Sequence, residues 1–201
     1  MYVITLDQQG SRRVGDRVDL LLAELRRLPR EGLVRPFERT IGDEVQAVIE
    51  DPVLAVDVGL HVLRLGGWSV GIGAGPVDEP LPASARSASG AAFVLARTAV
   101  ERAKSRLRPV PLAVEGSGAE RARDAEAVLT LLGSIIVRRT DAGWAVIDAF
   151  AALGASATQL AVAAHLGITQ QAVSQRLRTA MWAEELAVRP LAARLLVEGE
   201  R

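Results

Sequence analysis

Residues Gln159 to Arg178, QLAVAAHLGITQQAVSQRLR, constrain the chain more than any other segment, because two short helical patterns are joined by only about three residues. Ser156 or Thr158 can cap the first helix. Leu160, Val162, Ala163 and Leu166 form its apolar face, and Gly167 supplies the backbone freedom needed to leave it. A turn this short makes the two helices cross steeply, and Ala163 is small where they would touch. Ile168, Val173 and Leu177 then enter a shared core, with Thr169 capping the second helix.

With those positions buried, Gln170, Ser174 and Arg178 share one outward stripe, and Gln171 and Gln175 the adjoining one. Glutamine can bond adenine at two points, arginine can do so with guanine, and serine adapts to either. Arg176, beside them, suits a phosphate. The segment therefore predicts a helix-turn-helix whose Thr169, Gln170, Gln171, Ser174, Gln175, Arg176 and Arg178 face double-stranded DNA. A plain helical hairpin with a polar outer face is the competing reading, but no acidic residue occurs from Leu153 to Ala183. A carboxylate-free face suits a polyanion.

Net charge is zero, with 19 basic and 18 acidic residues up to Thr140 and 5 and 6 after it. Neither half can coat nucleic acid by charge alone, so a homodimer on a two-fold DNA site is the expected source of affinity. The 201 residues are 49% hydrophobic and contain no cysteine, which excludes disulfides and thiol nucleophiles. His61 and His165 are the sole histidines, too few for a histidine-rich metal site. No apolar stretch approaches the roughly 20 residues needed to span a bilayer, and the first residues lack a signal-peptide pattern. A cytoplasmic protein without a membrane partner is expected.

In the first 140 residues, Tyr2–Leu6 reads as a buried strand and Val14–Leu28 as a helix stopped by Pro29. Leu33–Thr40 and Glu44–Ile49 read as a hairpin, and Pro52–Leu65 as a helix ended by Gly66-Gly67. Trp68–Ile72 is a strand, Ser84–Arg106 a long helix, Val110–Val114 a strand and Ala119–Arg139 a helix. This order describes an antiparallel-centred sheet with helices packed on one face. Beyond a turn at Asp141-Ala142-Gly143, Trp144–Leu153 braces the helix-turn-helix, and a last amphipathic helix follows Trp182.

Asp7 ends the first strand and Asp43 lies at the hairpin tip, so both carboxylates can converge on one sheet edge. Such a pair can bind Mg²⁺ together with phosphate oxygens. Arg12, Arg13, Arg35 and Arg39 are near enough in sequence to neutralise phosphate. Equally, Asp7 can cap a loop while Asp43 makes a turn with Gly42.

The blocks ITLDQQGSR, RTIGDEVQAVI and WSVGIGAGPV resemble the three strand motifs of the palm-type nucleotide cyclase and diguanylate cyclase superfamily. Their order and spacing are also similar to those of the SatD-like family of small bacterial proteins, over roughly residues 2–115. The resemblance implies metal-binding positions at Asp7, Asp43 and Glu44, and a phosphate-approaching Gly10-Ser11-Arg12 loop, to which Arg13 and Arg39 add by their nearness in sequence. It also implies Mg²⁺ with a nucleotide as ligand. The asparagine and arginine with which cyclases orient ribose are not identifiable after WSVGIGAG, and Lys104 is the single lysine.

The expectation is thus an α+β chain: a ferredoxin-like, palm-type sheet domain over residues 1–140, then an all-α (winged) helix-turn-helix domain over 141–201. Two functions follow. One is a dimeric DNA-binding transcriptional regulator sensing a nucleotide or phosphorylated ligand. The other is a metal-dependent nucleotidyl cyclase or related phosphotransfer enzyme using Asp7 and Asp43.

Smaller features have plainer readings. GIGAGP lacks the full dinucleotide pattern and precedes no helix directly. Ser87, Gly90 and Ala91 suggest close helix packing or a dimer contact, and His61 a core or boundary position. Arg138-Arg139-Thr140 ends a helix, where positive charge favours the dipole.

Overall fold

The computed structural model describes residues 1–200 and shows an α+β chain with one five-stranded mixed sheet. Two units emerge: Met1–Val137 joined by the chain's end from Arg189, and Arg138–Val188.

The first unit runs β1 (Tyr2–Gln8), α1 (Ser11–Val14), α2 (Val18–Leu25), β2 (Leu33–Arg39), β3 (Glu44–Ile49), α3 (Pro52–Leu65), β4 (Trp68–Ala74), α4 (Ala91–Ala103), β5 (Leu112–Gly116) and α5 (Ala119–Arg138). Its sheet order is β2-β3-β1-β4-β5, antiparallel throughout except for the parallel pair β4–β5. Tyr2, Ile4, Leu6, Val45, Ala47, Val70 and Ile72 are almost completely buried, as the strand alternation requires.

Helices cover both faces of this sheet, not the single face expected. The register Val3↔Gly73, Thr5↔Gly71 and Asp7↔Ser69 puts these residues on one side, where a Cβ built on Gly71 would lie 2.4 Å from Val100 N in α4. On the other side, a Cβ on Gly59 of α3 would lie 3.5 Å from the side chains of Ile72 and Leu112. Alternating glycine in β4 resembles a solvent-facing side in sequence. Here it makes room for a helix backbone.

Two expected helices are broken. Gly15, at φ +79°, ends α1 before α2 begins, and α2 stops at Leu25, short of Pro29. Within Ser84–Arg106, a 3₁₀ turn at Ala85–Ser87 is followed by Gly90 at φ +126°, a backbone conformation foreign to a continuing helix. Arg35 and Glu38 of β2 secure this turn: Arg35 donates to the carbonyls of Leu81 and Pro82, and Glu38 Oε1 accepts from Arg86 N at 2.7 Å.

The second unit is helical: α6 (Asp141–Leu153), α7 (Gln159–Leu166), α8 (Gln170–Thr179) and the start of α9 (Trp182–Gly199). Threonine caps three of these helices. Thr140, Thr158 and Thr169 accept from Gly143 N, Ala161 N and Ala172 N at 3.2, 3.1 and 3.1 Å. Gly167 leaves α7 in the left-handed region at φ +64°. Val146, Ala149, Val162, Ala163 and Val173 form the core, with Phe150, Leu166, Ile168 and Leu177 packed against it. Leu160 does not join them and is 66% exposed. It sits about 200° around the helix from Val162.

No wing follows α8: among the described residues the second unit holds no strand, and the chain continues into α9. Nor does the final helix stay wholly within the second unit. Arg189 bonds Asp57 at 2.6 Å and Gly199 O accepts from Gly118 N at 3.0 Å, both contacts within the first unit. Arg139 is likewise no surface dipole partner. Its side chain is fully buried against Glu185, between Trp144 and Trp182 at 4.4 and 5.7 Å from the ring centroids. Among the described residues, no helix is long and apolar enough to cross a membrane.

Candidate functional site

The β1–β3 register sets Asp7 directly opposite Glu44, and Asp43 precedes Glu44 in the turn. Asp7 and Glu44 are already engaged. Lys104, the C-cap of α4, places Nζ 2.9 Å from Asp7 and 2.7 Å from Glu101. Thr40 Oγ1 donates to Glu44 Oε1 at 2.6 Å, with Arg97 at 3.8 Å from the same oxygen. Among the described residues no group of three or more His, Cys, Asp or Glu is placed to hold a metal. With an ammonium on Asp7, this donor set does not fit Mg²⁺.

Burial pushes the Asp7 carboxyl above its ordinary 3.8; the Lys104 hydrogen bond and charge oppose that rise, while Asp43 and Glu101 add to it. Burial pulls Lys104 the other way, but the carboxylates of Glu101 and Asp7 outweigh it and hold the ammonium above 10.5. Ionised Asp7 consequently costs folding stability. Below pH 3.8 the cost vanishes, and it is complete once pH has risen through the folded-state value. Asp7→Asn is expected to be more resistant to urea than the parent at pH 7, with the difference closing as pH falls towards 3.8. A less stable variant at pH 7 contradicts this account.

Of the arginines expected to meet phosphate, Arg35 and Arg39 are already paired. Gly10, at φ +67°, leads into α1, where Ser11 is half-buried and Arg12 and Arg13 are exposed. Gln8 anchors the loop, donating to Gly15 O at 2.5 Å and accepting from Arg17 N at 2.8 Å. Arg39 is spent on both oxygens of Asp16, at 2.6 and 2.5 Å, and Arg35 on backbone carbonyls. Lys104 and Arg97 were not foreseen beside the carboxylates. One signal was present: Lys104 is the lone lysine among 24 basic residues.

In the second unit, α8 presents Gln170, Gln171, Gln175 and Arg178 to solvent, with Ser174 and Arg176 half-buried along the same helix. Thr169 is exposed while its hydroxyl caps the helix. Neither Arg176 nor Arg178 forms an ion pair among the described residues, so both guanidiniums are available for an external anion. The predicted DNA-facing side chains therefore do lie on one helix, along with the capping threonine that starts it. No family model, curated protein or solved structure matches this chain.

Proposed function

We propose that the chain is a DNA-binding transcriptional regulator that acts as a dimer, with its sheet unit sensing a small phosphorylated ligand. The observation that carries this reading is the pair α7 and α8. Gly167, Ile168 and Thr169 separate them, Val162, Ala163 and Val173 are buried between helices, and the outer side of α8 offers glutamine and arginine with no carboxylate. That is the chemistry of a helix-turn-helix with α8 as recognition helix. For the sheet unit, the order β2-β3-β1-β4 with intervening helices supports a ferredoxin-like, palm-type ancestry. The cyclase alternative draws no support from Asp7, whose carboxylate meets Lys104.

Selection of genomic fragments on the purified chain, followed by fluorescence polarisation, tests the proposal. Gln171→Ala and Arg178→Ala are each expected to lose about 1–3 kcal/mol of binding to the selected site, with much smaller effects on random DNA. Failure to enrich any fragment, or selected-site affinities unchanged by both substitutions, overturns the assignment to α8.

A further inference from the structure

On the α4 side of the sheet, the β2–β3 hairpin, the turn at Ala85–Ser87 and α4 enclose a cleft of about 310 Å³. Arg86 and Arg97 line it, as do Glu44, Gln46, Ile41 and Phe93. Its charge is unbalanced: two guanidiniums accompany one carboxylate, Arg97 stands 3.8 Å from Glu44, and Arg86 forms no ion pair among the described residues. Arg86 is nonetheless held in place through its backbone, by Glu38 and by the Ser84 hydroxyl at 3.2 Å. One guanidinium without a carboxylate and a second shared with Glu44 leave the cleft net positive, which suits a phosphate.

The rest of the cleft suits a ring. Phe93, Ile41 and the exposed Val94 provide apolar surface. Glu44 and Gln46 are neighbours on one face of β3. Gln46 spends an amide N–H on Thr5 at 2.9 Å, which leaves its oxygen, together with Oε2 of Glu44, as acceptors for ring N–H groups, Glu44 Oε1 being taken by Thr40. A volume near 310 Å³ lies at the small end of ligand cavities, the size of one nucleotide with one phosphate.

We infer that this cleft is a metal-independent binding site for a nucleoside monophosphate, with phosphate on Arg86 and Arg97 and the base against Phe93, Ile41 and Val94. The inference rests on the ligand-sensing part of the proposed function, but moves the ligand away from the loop after β1 and from Asp7.

Titration calorimetry of the full chain with AMP, GMP, CMP and UMP, in EDTA, tests it. At least one is expected to bind. Ribose 5-phosphate and inorganic phosphate should bind at least about tenfold more weakly, since they lack the ring. Arg86→Met and Arg97→Met alter exposed side chains, and each should weaken binding by about tenfold or more, as should Val94→Glu. Three results overturn the site: no binding by any of the four, binding that requires Mg²⁺, or binding lost in Arg12→Gln/Arg13→Gln but retained in the Arg86 and Arg97 variants. DNA binding measured on the same samples separates the two claims. Cleft-dependent nucleotide binding that leaves DNA affinity unaltered sustains the site and rejects its control of DNA.

Discussion

Gly73→Ala is expected to destabilise the first unit by about 3 kcal/mol or more, a full methyl forced into a space already taken by backbone. Its Cβ would come 2.2 Å from Ala92 O and 2.3 Å from Ala96 N. Gly71 is similarly enclosed, by Ala96 O at 2.6 Å and Val100 N at 2.4 Å. None of these atoms can swing away as a side chain would, so relief requires α4 to lift from the sheet. Ala92, Ala96, Ala99 and Ala103 are all buried, and their small side chains are the helix's half of the same close approach. Chemical denaturation compares Gly73→Ala with Gly42→Ala. Gly42 also has a positive φ, +63°, but open space around it, so alanine there meets only the left-handed penalty of about 1–2 kcal/mol. Equal losses at both positions refute the packing explanation.

Arg139→Met is the second substitution expected to have a large effect, with a loss of about 3–5 kcal/mol because Glu185 is left charged inside the protein. Both side chains are completely buried, and the guanidinium also donates to Ala180 O from Nε and Nη2 at 3.0 and 2.8 Å. Trp144 and Trp182 supply cation–π contacts. One arginine thus joins the start of α6, the end of α8 and the start of α9. Arg139 Nη1 has no hydrogen-bond partner, so the arrangement is costly even when intact. That predicts a particular pattern in urea denaturation: Glu185→Leu alone is strongly destabilising, whereas Arg139→Met/Glu185→Leu recovers most of the loss. A double variant as unstable as the sum of the singles contradicts a mutually dependent ion pair.

These two sites also show where sequence reasoning fails. Arg139 lies among Arg138 and Thr140 like any helix-end cation, and nothing local distinguishes it from its exposed neighbour. Its burial depends on Glu185, 46 residues later. Lys104 pairs with Asp7 across a still longer separation, which turned an expected metal ligand into half of an ion pair. Two of the expected phosphate arginines were taken up by other partners in the same way. Arg35 and Arg39 are four residues apart on β2, where strict alternation would put them on one face, but the register shift between Arg35 and Glu38 and the surrounding loops gave them different partners.

Local chemistry was enough for the strands β1 to β4, the helix Pro52–Leu65 and the cap at Thr169, because each depends on residues within one or two turns, while the structure chose Thr158 over Ser156 as the cap of α7. It was enough, too, to place Gln171, Gln175 and Arg178 on the outside of one helix, since a 3.6-residue repeat and a buried Val173 leave them no other direction, with Gln170 exposed at the helix start. Tertiary structure alone decided that the sheet is covered on both faces, that α4 rests on glycine, and that Asp7 meets a lysine. Those outcomes join residues far apart in the chain, where packing volume and desolvation outweigh local preference.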